Sequence, residues 1–266
     1  REGELPVGRL LVLPPAGAPL DDDAADAVDP LTGRRAAWAS HAQADTARGR
    51  GATVLDEAGA LARDLEAVVR RHADRLLSRD STSRLVESLR GSQPTLVEQV
   101  VPAVLTIARI QRTLQWLLRE GLPARPLGEI IEIMSDHAAE AADPRQLAEI
   151  VRHRLVGNIR RRARDPEGRL TAVRLAGGAA DALAGGPQPG RPPARLVAEI
   201  RRATRPAIDR GGAAVLVVPA AARRGVRDAL ARALPDVVVL AEDEVADEER
   251  LEIFATLGVE ETARAA

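Results

Sequence analysis

The stretch AVLTIARIQRTLQWLLREG, residues 103–121, carries the pattern that decides the fold class of this chain. Its large apolar residues recur every three or four positions, which places them on one face of an α-helix. Gly121 follows the last of them, and a glycine at this place commonly ends a helix. The stretch therefore predicts an amphipathic helix over 103–120, whose inward residues are Val104, Ile107, Ile110, Leu114 and Leu117.

Comparable periodicity on both sides of this helix predicts further helices over 58–77, 81–90, 127–139 and 143–164. The last begins at Asp143–Pro144, where an N-cap residue precedes proline at the first helical position. The helix over 58–77 has an apolar seam made of Leu61, Leu65, Val68, His72 and Leu76. A histidine in such a seam is more often a core or interface residue than a metal ligand.

Both ends of the chain differ from this helical middle. Residues 8–13 (GRLLVL) predict a strand, 16–29 a loop, and Asp29–Pro30–Leu31–Thr32–Gly33 a turn. After residue 168 we expect a strand over 170–175 and a linker over 185–193. Helices and strands then alternate, which indicates a small sheet with helices packed on it. These segments are helices 194–208 and 221–234 and strands 214–218, 237–240 and 251–254.

Composition describes a globular chain of 266 residues, 45% hydrophobic and 29% charged, with a formal net charge of −1. Cysteine is absent from the sequence, so disulfides and thiolate metal sites are excluded. No apolar run is long enough to span a bilayer, and the start lacks the pattern of a secretory signal. The sequence opens at Arg1 without methionine, so we expect a fragment of a longer protein.

Motifs that carry chemistry are not found in the sequence. The four histidines form no metal-binding pair, and no phosphate loop or nucleophile elbow is present; they are His41, His72, His137 and His153. The acidic run from Asp243 to Glu249 is interpreted as a solvated turn. We therefore expect no catalytic, cofactor-binding or metal-binding residue, and a protein that is not an enzyme.

An arginine cluster leaves one alternative function open, that of an Arg-rich nucleic-acid-binding adaptor. Arg160, Arg161, Arg162 and Arg164 end a predicted helix, where cations offset the helix dipole. Nucleic-acid binding requires a wider basic surface, and the near-zero net charge favours the structural interpretation. The sequence has three aromatic residues and no tyrosine, so stacking on single-stranded nucleic acid is not expected.

Several ordered segments together resemble one known family. Asp29–Pro30 with Gly33 and Trp38 resembles the "dP-x-x-G…W" segment of that family. Six further segments occur in the same order and at the same spacing as in the family. They are ATVLD (52–56), RHADRLL (71–77), PTLVE (94–98), QRTLQWLLREG (111–121), Asp143–Pro144 with Val151–Arg152, and VLVV (215–218). Single segments are weak signals, but the ordered set is specific. The chain departs from the family pattern at SRDS (78–81), where the family has "GRQE".

The family is the FlhA/SctV export gate of bacterial type III secretion systems, and the run over 111–121 is more similar to its flagellar branch. The resemblance implies a mixed α/β, helix-rich fold of four small subdomains, the last a small α/β sheet domain. Residues 1–52 with 102–121 would form the first, 53–101 an inserted second, 122–185 a helical, ring-forming third, and 186–266 the fourth. It implies a docking platform without cofactors, on the cytoplasmic face of the inner membrane, attached to it through an N-terminal region outside this sequence.

The same resemblance implies partners and a binding site. The partners are export chaperone–substrate complexes, other export apparatus proteins and further copies of the chain in a nonameric ring, and not nucleic acid. The chaperone-binding residues of the family correspond here to Asp74, Leu77 and Ala108, the last of which has no hydroxyl. Asp74 and Leu77 lie three apart on one helix, so both can face a partner. Considered without the resemblance, Leu77 is a core residue.

Overall fold

The computed structural model describes residues 8–18, 25–141, 143–185 and 192–258. They form two compact units, one of Arg1–Ala67 with Arg160–Ala266 and one of Val68–Ile159. We call them the sheet unit and the helical unit. The two sheets and the many helices confirm the mixed α/β, helix-rich fold class that the sequence predicts.

The sheet unit begins with an antiparallel sheet of four strands in the order β2-β3-β1-β4. Its central strand β1 pairs with β3 on one side and with β4 on the other. Leu10 and Val12 of β1 face Ala44 of the first helix, whereas Leu11 on the opposite face packs with Ala60. The elements are β1 (Leu10–Leu13), β2 (Ala25–Val28), β3 (Arg35–Ala39), α1 (His41–Gly49), β4 (Thr53–Leu55) and α2 (Glu57–Arg71).

The helical unit is built around one central helix. The elements are α3 (Ala73–Leu76), α4 (Arg79–Ser92), α5 (Pro94–Val100), α6 (Ile107–Arg119), α7 (Leu127–Asp136), α8 (Pro144–Arg154) and α9 (Val156–Ala163), the last of which continues into the sheet unit. The inward face of α6 is fully buried at Ile110 and Leu114, as the sequence predicts. Gly121 ends the helix with a φ of +76°, a left-handed conformation that glycine adopts at little cost.

The second sheet of the sheet unit is parallel, with the order β7-β6-β5-β8. Its strand β6 is buried at all four residues, and helices cover the sheet through a core that includes Ile200 and Val226. This confirms the predicted alternation of strands and helices. The elements are β5 (Leu170–Leu175), α10 (Gly177–Gly185), α11 (Ala194–Asp209), β6 (Val215–Val218), α12 (Arg223–Leu230), β7 (Val238–Ala241) and β8 (Leu251–Leu257).

The apolar seam predicted over 58–77 is not part of the core. Leu61, Leu65 and Leu76 are 57%, 61% and 60% exposed, and the buried face of α2 consists of Ala60 and Ala67. Small alanines allow the helix backbone to approach the sheet closely, and Ala60 indeed packs with residues of β1 and β3. These three leucines of the seam therefore face solvent rather than the core.

Helix boundaries also differ from the prediction. The helix predicted over 58–77 breaks at His72, which is exposed, so α2 and α3 are separate. The helix predicted over 143–164 breaks at Leu155, whose N–H donates to the carbonyls of Val151 and Arg152. The central helix begins at Ile107 rather than at 103, because the Thr106 side chain caps it by accepting from the N–H of Arg109.

Several short elements without a strong apolar pattern are not predicted from the sequence. Strand β2 lies within the segment 16–29 that was predicted to be a loop, and β3, α1 and α10 were not predicted. Helix α1 has few large apolar residues and is started by a capping box between Ser40 and Gln43. Most of the predicted linker over 185–193 lies outside the described residues.

Candidate functional site

The junction between α3 and α4 in the helical unit contains two of the three residues that the sequence assigns to partner binding. Helix α3 has only four residues, and its C-cap residue Leu77 is extended, with φ −74° and ψ 94°. Ser78 then starts α4 by accepting a hydrogen bond from the N–H of Ser81. Leu77 therefore lies between two helices, with its side chain partly buried.

One face of α6 supports this junction. Ala108, Gln111, Gln115 and Arg119 follow one another at spacings of three, four and four, so they share a face of the helix. The side-chain amides of Gln111 and Gln115 both donate to the backbone carbonyl of Leu77, at 2.9 Å and 3.1 Å. These two bonds fix the position of the Leu77 backbone without involving its side chain.

Asp74 is joined to the same face of α6. It is buried, and its carboxylate accepts a hydrogen bond of 2.8 Å from Nε of Arg119. The sequence predicts Asp74 as a residue that faces a partner, and the structure places its carboxylate against α6. Leu77 and Ala108 are both partly buried, and Ala108 lies on the α6 face that supports the junction. We call this arrangement the α3–α6 joint; it consists of Asp74, Leu77, Ala108, Gln111, Gln115 and Arg119.

Trp116 connects the α3–α6 joint to α8. The guanidinium carbons of Arg119 and Arg145 each lie 4.5 Å from the centroid of the Trp116 ring, within the range of a cation–π interaction. Arg152 of α8 donates to the carboxylate of Glu120 at 2.7 Å, and both side chains are largely buried. Helix α6 thus contacts both α3 and α8.

Several large apolar side chains of the helical unit are exposed. Leu76 on α3, Val68 and Val69 at the end of α2, and Leu85 on α4 are all exposed, as is Val104 before α6. Contiguous exposed apolar residues often mark a binding surface, and Val68, Val69 and Leu76 are close to one another in the sequence. The helical unit therefore combines a rigidly held junction with uncovered apolar side chains.

The predicted turn at Asp29 is a structural feature of the sheet unit. The buried carboxylate of Asp29 accepts hydrogen bonds from the Leu31 N–H, the Thr32 hydroxyl and the guanidinium of Arg63. Burial raises the pKa of Asp29, but these hydrogen bonds outweigh burial and lower the pKa below its ordinary value. Every one of these donors belongs to the sheet unit, so the Asp29 network ties its first strands to α2.

The other candidate residues have structural roles. Arg160 pairs with Asp247 and Arg164 pairs with Glu248, which supports the structural interpretation of the arginine cluster. His137 lies 3.0 Å from a carboxylate oxygen of Glu140, and the other three histidines are exposed. In the part of the chain that the structure describes, no group of three potential ligands is positioned to hold a metal ion.

A bilayer-spanning helix would need to be longer and more apolar than any helix among the described residues.

Comparison with known proteins gives the family. The model of the FHIPEP family matches residues 1–250. The flagellar biosynthesis protein FlhA of Escherichia coli (strain K12) is 31% identical over 96% of this chain and 38% of that protein. FlhA of Yersinia enterocolitica is 30% identical over 97% of the chain and 38% of that protein. The chain therefore spans less than two fifths of these relatives, whose names describe flagellar biosynthesis and no catalytic activity.

Solved structures show the same fold. The Chlamydia pneumoniae CdsV protein superposes with a TM-score of 0.76 at 17% identity, covering 97% of this chain and 77% of that one. The nonameric EPEC SctV-C structure gives a TM-score of 0.74 at 18% identity, covering 96% and 79%. Flagellar names predominate among the curated relatives, in agreement with the flagellar preference of the sequence. On the family match and these relatives, the chain belongs to the FHIPEP family, whose members include the FlhA proteins.

Proposed function

We propose that this chain is the docking platform of a type III protein export gate and that it receives chaperone–substrate complexes. Membership of the FHIPEP family and the flagellar relatives support a role in export. The platform would act as a ring of nine copies on the cytoplasmic face of the inner membrane. This part of the proposal is supported by the nonameric assemblies among the structures with the same fold.

The observation that carries the proposal is the construction of the α3–α6 joint. Three side chains of α6 hold α3 and its C-cap, while Leu76 on the same short helix remains 60% exposed. Docking is favoured when the binding surface is already fixed, because less conformational entropy is lost on association. A held segment with uncovered apolar side chains meets this condition, and it contains two of the three residues that the resemblance assigns to chaperone binding, Asp74 and Leu77.

We also propose that the chain is organised into four subdomains, which are not subdivisions of the two compact units. These are residues 1–52 with 102–121, residues 53–101, residues 122–185 and residues 186–266. The two separate sheets support subdomains of α/β type near the two ends of the chain, although β4 of the antiparallel sheet and β5 of the parallel sheet lie within the ranges 53–101 and 122–185. The helical stretch from α7 to α9 supports a third subdomain dominated by helices, which would form the ring.

Chaperone binding is testable with the purified 266-residue chain and each export chaperone of the same bacterium, purified with its substrate. We expect calorimetry to detect binding by the wild-type chain and a loss of roughly tenfold or more in affinity for Leu77→Ala and for Asp74→Arg. Val28→Ala is the matched control, since Val28 is an exposed apolar residue of the sheet unit. Binding that is absent, or that both variants leave unchanged, would overturn the proposed site.

Ring formation has its own test. Full-length protein that includes the region preceding Arg1 should give particles with nine-fold symmetry by electron microscopy. The isolated chain at increasing concentration should show the same assembly, or a lower order of it, by analytical ultracentrifugation. A full-length protein without nine-fold particles, together with an isolated chain that stays monomeric at every concentration, would contradict the ring.

A further inference from the structure

Arg119 and Asp74 are unequally exposed members of one ion pair. The Arg119 side chain is 51% exposed, whereas the Asp74 side chain is 10% exposed. The charge that a partner meets at the α3–α6 joint is therefore the guanidinium of Arg119 and not the carboxylate of Asp74.

The surroundings of Arg119 hold its guanidinium in place. It lies 4.5 Å from the centroid of the Trp116 ring and 2.8 Å from the Asp74 carboxylate. Stacking and an ion pair together restrict the rotamers of a long side chain, so less side-chain entropy remains to be lost on binding. Arginine also presents a planar set of N–H donors that matches the geometry of a carboxylate.

Charge on this side of the helical unit is predominantly positive. Helix α6 contains three arginines and no acidic residue. Arg109 donates to the carbonyls of Ala138 and Ala141, and Arg112 is exposed. The elements packed against α6 are α3, α4 and α8. On α3, Arg75 is exposed and Asp74 is buried. Arginines outnumber acidic residues on the other two helices; they are Arg79, Arg84 and Arg90 against Asp80 and Glu87 on α4, and Arg145, Arg152 and Arg154 against Glu149 on α8. A partner with complementary charge is therefore acidic.

We propose that Arg119 is a specificity-determining residue of the docking site and that it binds a carboxylate on an acidic segment of the protein partner. Asp74 is then a positioning residue, whose buried carboxylate orients the guanidinium of Arg119. This inference rests on the proposed docking function, and it changes the role of Asp74 from a direct contact to a support for the residue that makes the contact.

Three substitutions of Arg119 distinguish an effect of its charge on binding from an effect on the structure. Arg119→Gln keeps a side-chain N–H donor for Asp74 but removes the charge, Arg119→Lys keeps the charge, and Arg119→Ala removes both. With the chaperone–substrate complex that binds the wild-type chain, we expect about a tenfold loss of affinity for the Ala and Gln variants, which is about 1.4 kcal/mol. The Lys variant should recover part of that loss. Arg232→Gln, at an exposed arginine of the sheet unit, is the matched control.

The salt dependence of the binding affinity is a second measurement. It would be the same in the variants if Arg119 had a purely structural role. Affinity of the wild-type chain should fall as salt rises, and the slope should be smaller for Arg119→Gln. Circular dichroism should show that the variants are folded.

The possible outcomes distinguish this inference from the proposed function. If Leu77→Ala weakens binding while Arg119→Gln binds as tightly as wild type with the same salt slope, Arg119 does not recognise the partner and this inference fails alone. If neither Leu77→Ala nor any Arg119 variant changes the affinity, the proposed docking site is itself wrong. Weaker binding by Arg119→Gln with recovery by Arg119→Lys supports both.

Discussion

The guanidinium of Arg63 donates two hydrogen bonds to the carboxylate of Asp29, at 2.6 Å and 2.7 Å, across 34 positions of the sequence. This pair connects the turn after β2 with helix α2 inside the sheet unit. The Asp29 side chain is 4% exposed and that of Arg63 is 26% exposed, so the pair is shielded from most of the solvent. An ion pair of this kind makes stability depend on pH.

Acid should destabilise the sheet unit partly through Asp29. Burial raises the pKa of Asp29, but hydrogen bonds from Arg63, Thr32 and the Leu31 N–H lower it below 3.8 in the folded protein. The unfolded chain then binds more protons, so the free energy of unfolding falls as pH decreases. The contribution of Asp29 is complete above its unfolded pKa and is lost as pH falls through the folded pKa.

Asp29→Asn tests this dependence. At pH 7 we expect a loss of about 2 kcal/mol in the free energy of unfolding, since a hydrogen-bonded charge is removed. Between pH 5 and pH 3 the variant should lose less stability than wild type, measured by urea unfolding. Asp26→Asn, at an exposed pair with Arg35, should change stability by less than about 1 kcal/mol. If Asp29→Asn and the wild type lose the same amount of stability between pH 5 and pH 3, Asp29 does not have this role.

The hydrogen bonds of Gln111 and Gln115 should stabilise the α3–α4 junction. In the double variant Gln111→Ala/Gln115→Ala, the Leu77 carbonyl loses both amide donors, which should cost about 2 kcal/mol at about 1 kcal/mol for each bond. Hydrogen exchange of the Leu76 and Leu77 amides should accelerate. Gln146→Ala, at an exposed residue of α8, is the control, and unchanged exchange in the double variant would show that the amides do not hold the junction.

Removing one residue of the buried ion pair between Glu120 and Arg152 should cost more stability than replacing both residues. Glu120→Ala removes a carboxylate 2.7 Å from Nε of the buried Arg152, and we expect a loss of about 3 kcal/mol. Replacing both residues, as Glu120→Leu with Arg152→Met, should recover most of that loss because no charge remains buried. Thermal unfolding measures both effects.

Two comparisons complete the Glu120 experiment. Glu140→Ala breaks the exposed contact with His137 and should cost less than about 1 kcal/mol. A double variant that is less stable than Glu120→Ala alone would contradict the expected asymmetry.

Gly121 and Gly91 should respond to alanine with opposite signs. Gly121 has a φ of +76°, so Gly121→Ala forces a side chain into the left-handed region and should cost about 1–2 kcal/mol. A Cβ at Gly91, in the last turn of α4, would meet no atom within 4 Å. Gly91→Ala should therefore raise stability by up to about 1 kcal/mol. Equal effects of the two substitutions in urea unfolding would refute the conformational argument.

Sequence alone predicts those parts of the fold where large apolar side chains decide the packing. Ile110 and Leu114 of α6 are buried as their spacing predicts, and the parallel sheet is found where strands and helices alternate. The same rule fails for α2, because Ala60 and Ala67 form its buried face and the larger leucines do not. Close approach of a helix backbone to a sheet favours small residues, and periodicity of large residues does not reveal it.

The candidate site is predictable from sequence only in part. The resemblance points to Asp74, Leu77 and Ala108, which stay predictions. Gln111 and Gln115 carry no comparable signal, because their acceptor is a backbone carbonyl 34 and 38 positions away. Arg119 pairs with Asp74 across 45 positions, and only the packing of α3 on α6 decides that partnership. Contacts of this length depend on the folded chain and leave no local pattern.

The division of the chain has a consequence for the order of its biosynthesis. The helical unit is one continuous segment, Val68–Ile159, whereas the sheet unit is divided into Arg1–Ala67 and Arg160–Ala266. A chain that emerges from the ribosome N-terminus first has released the whole helical unit before translation reaches β5 to β8. The helical unit can therefore complete its core during synthesis, whereas the parallel sheet must wait until β8 has been made.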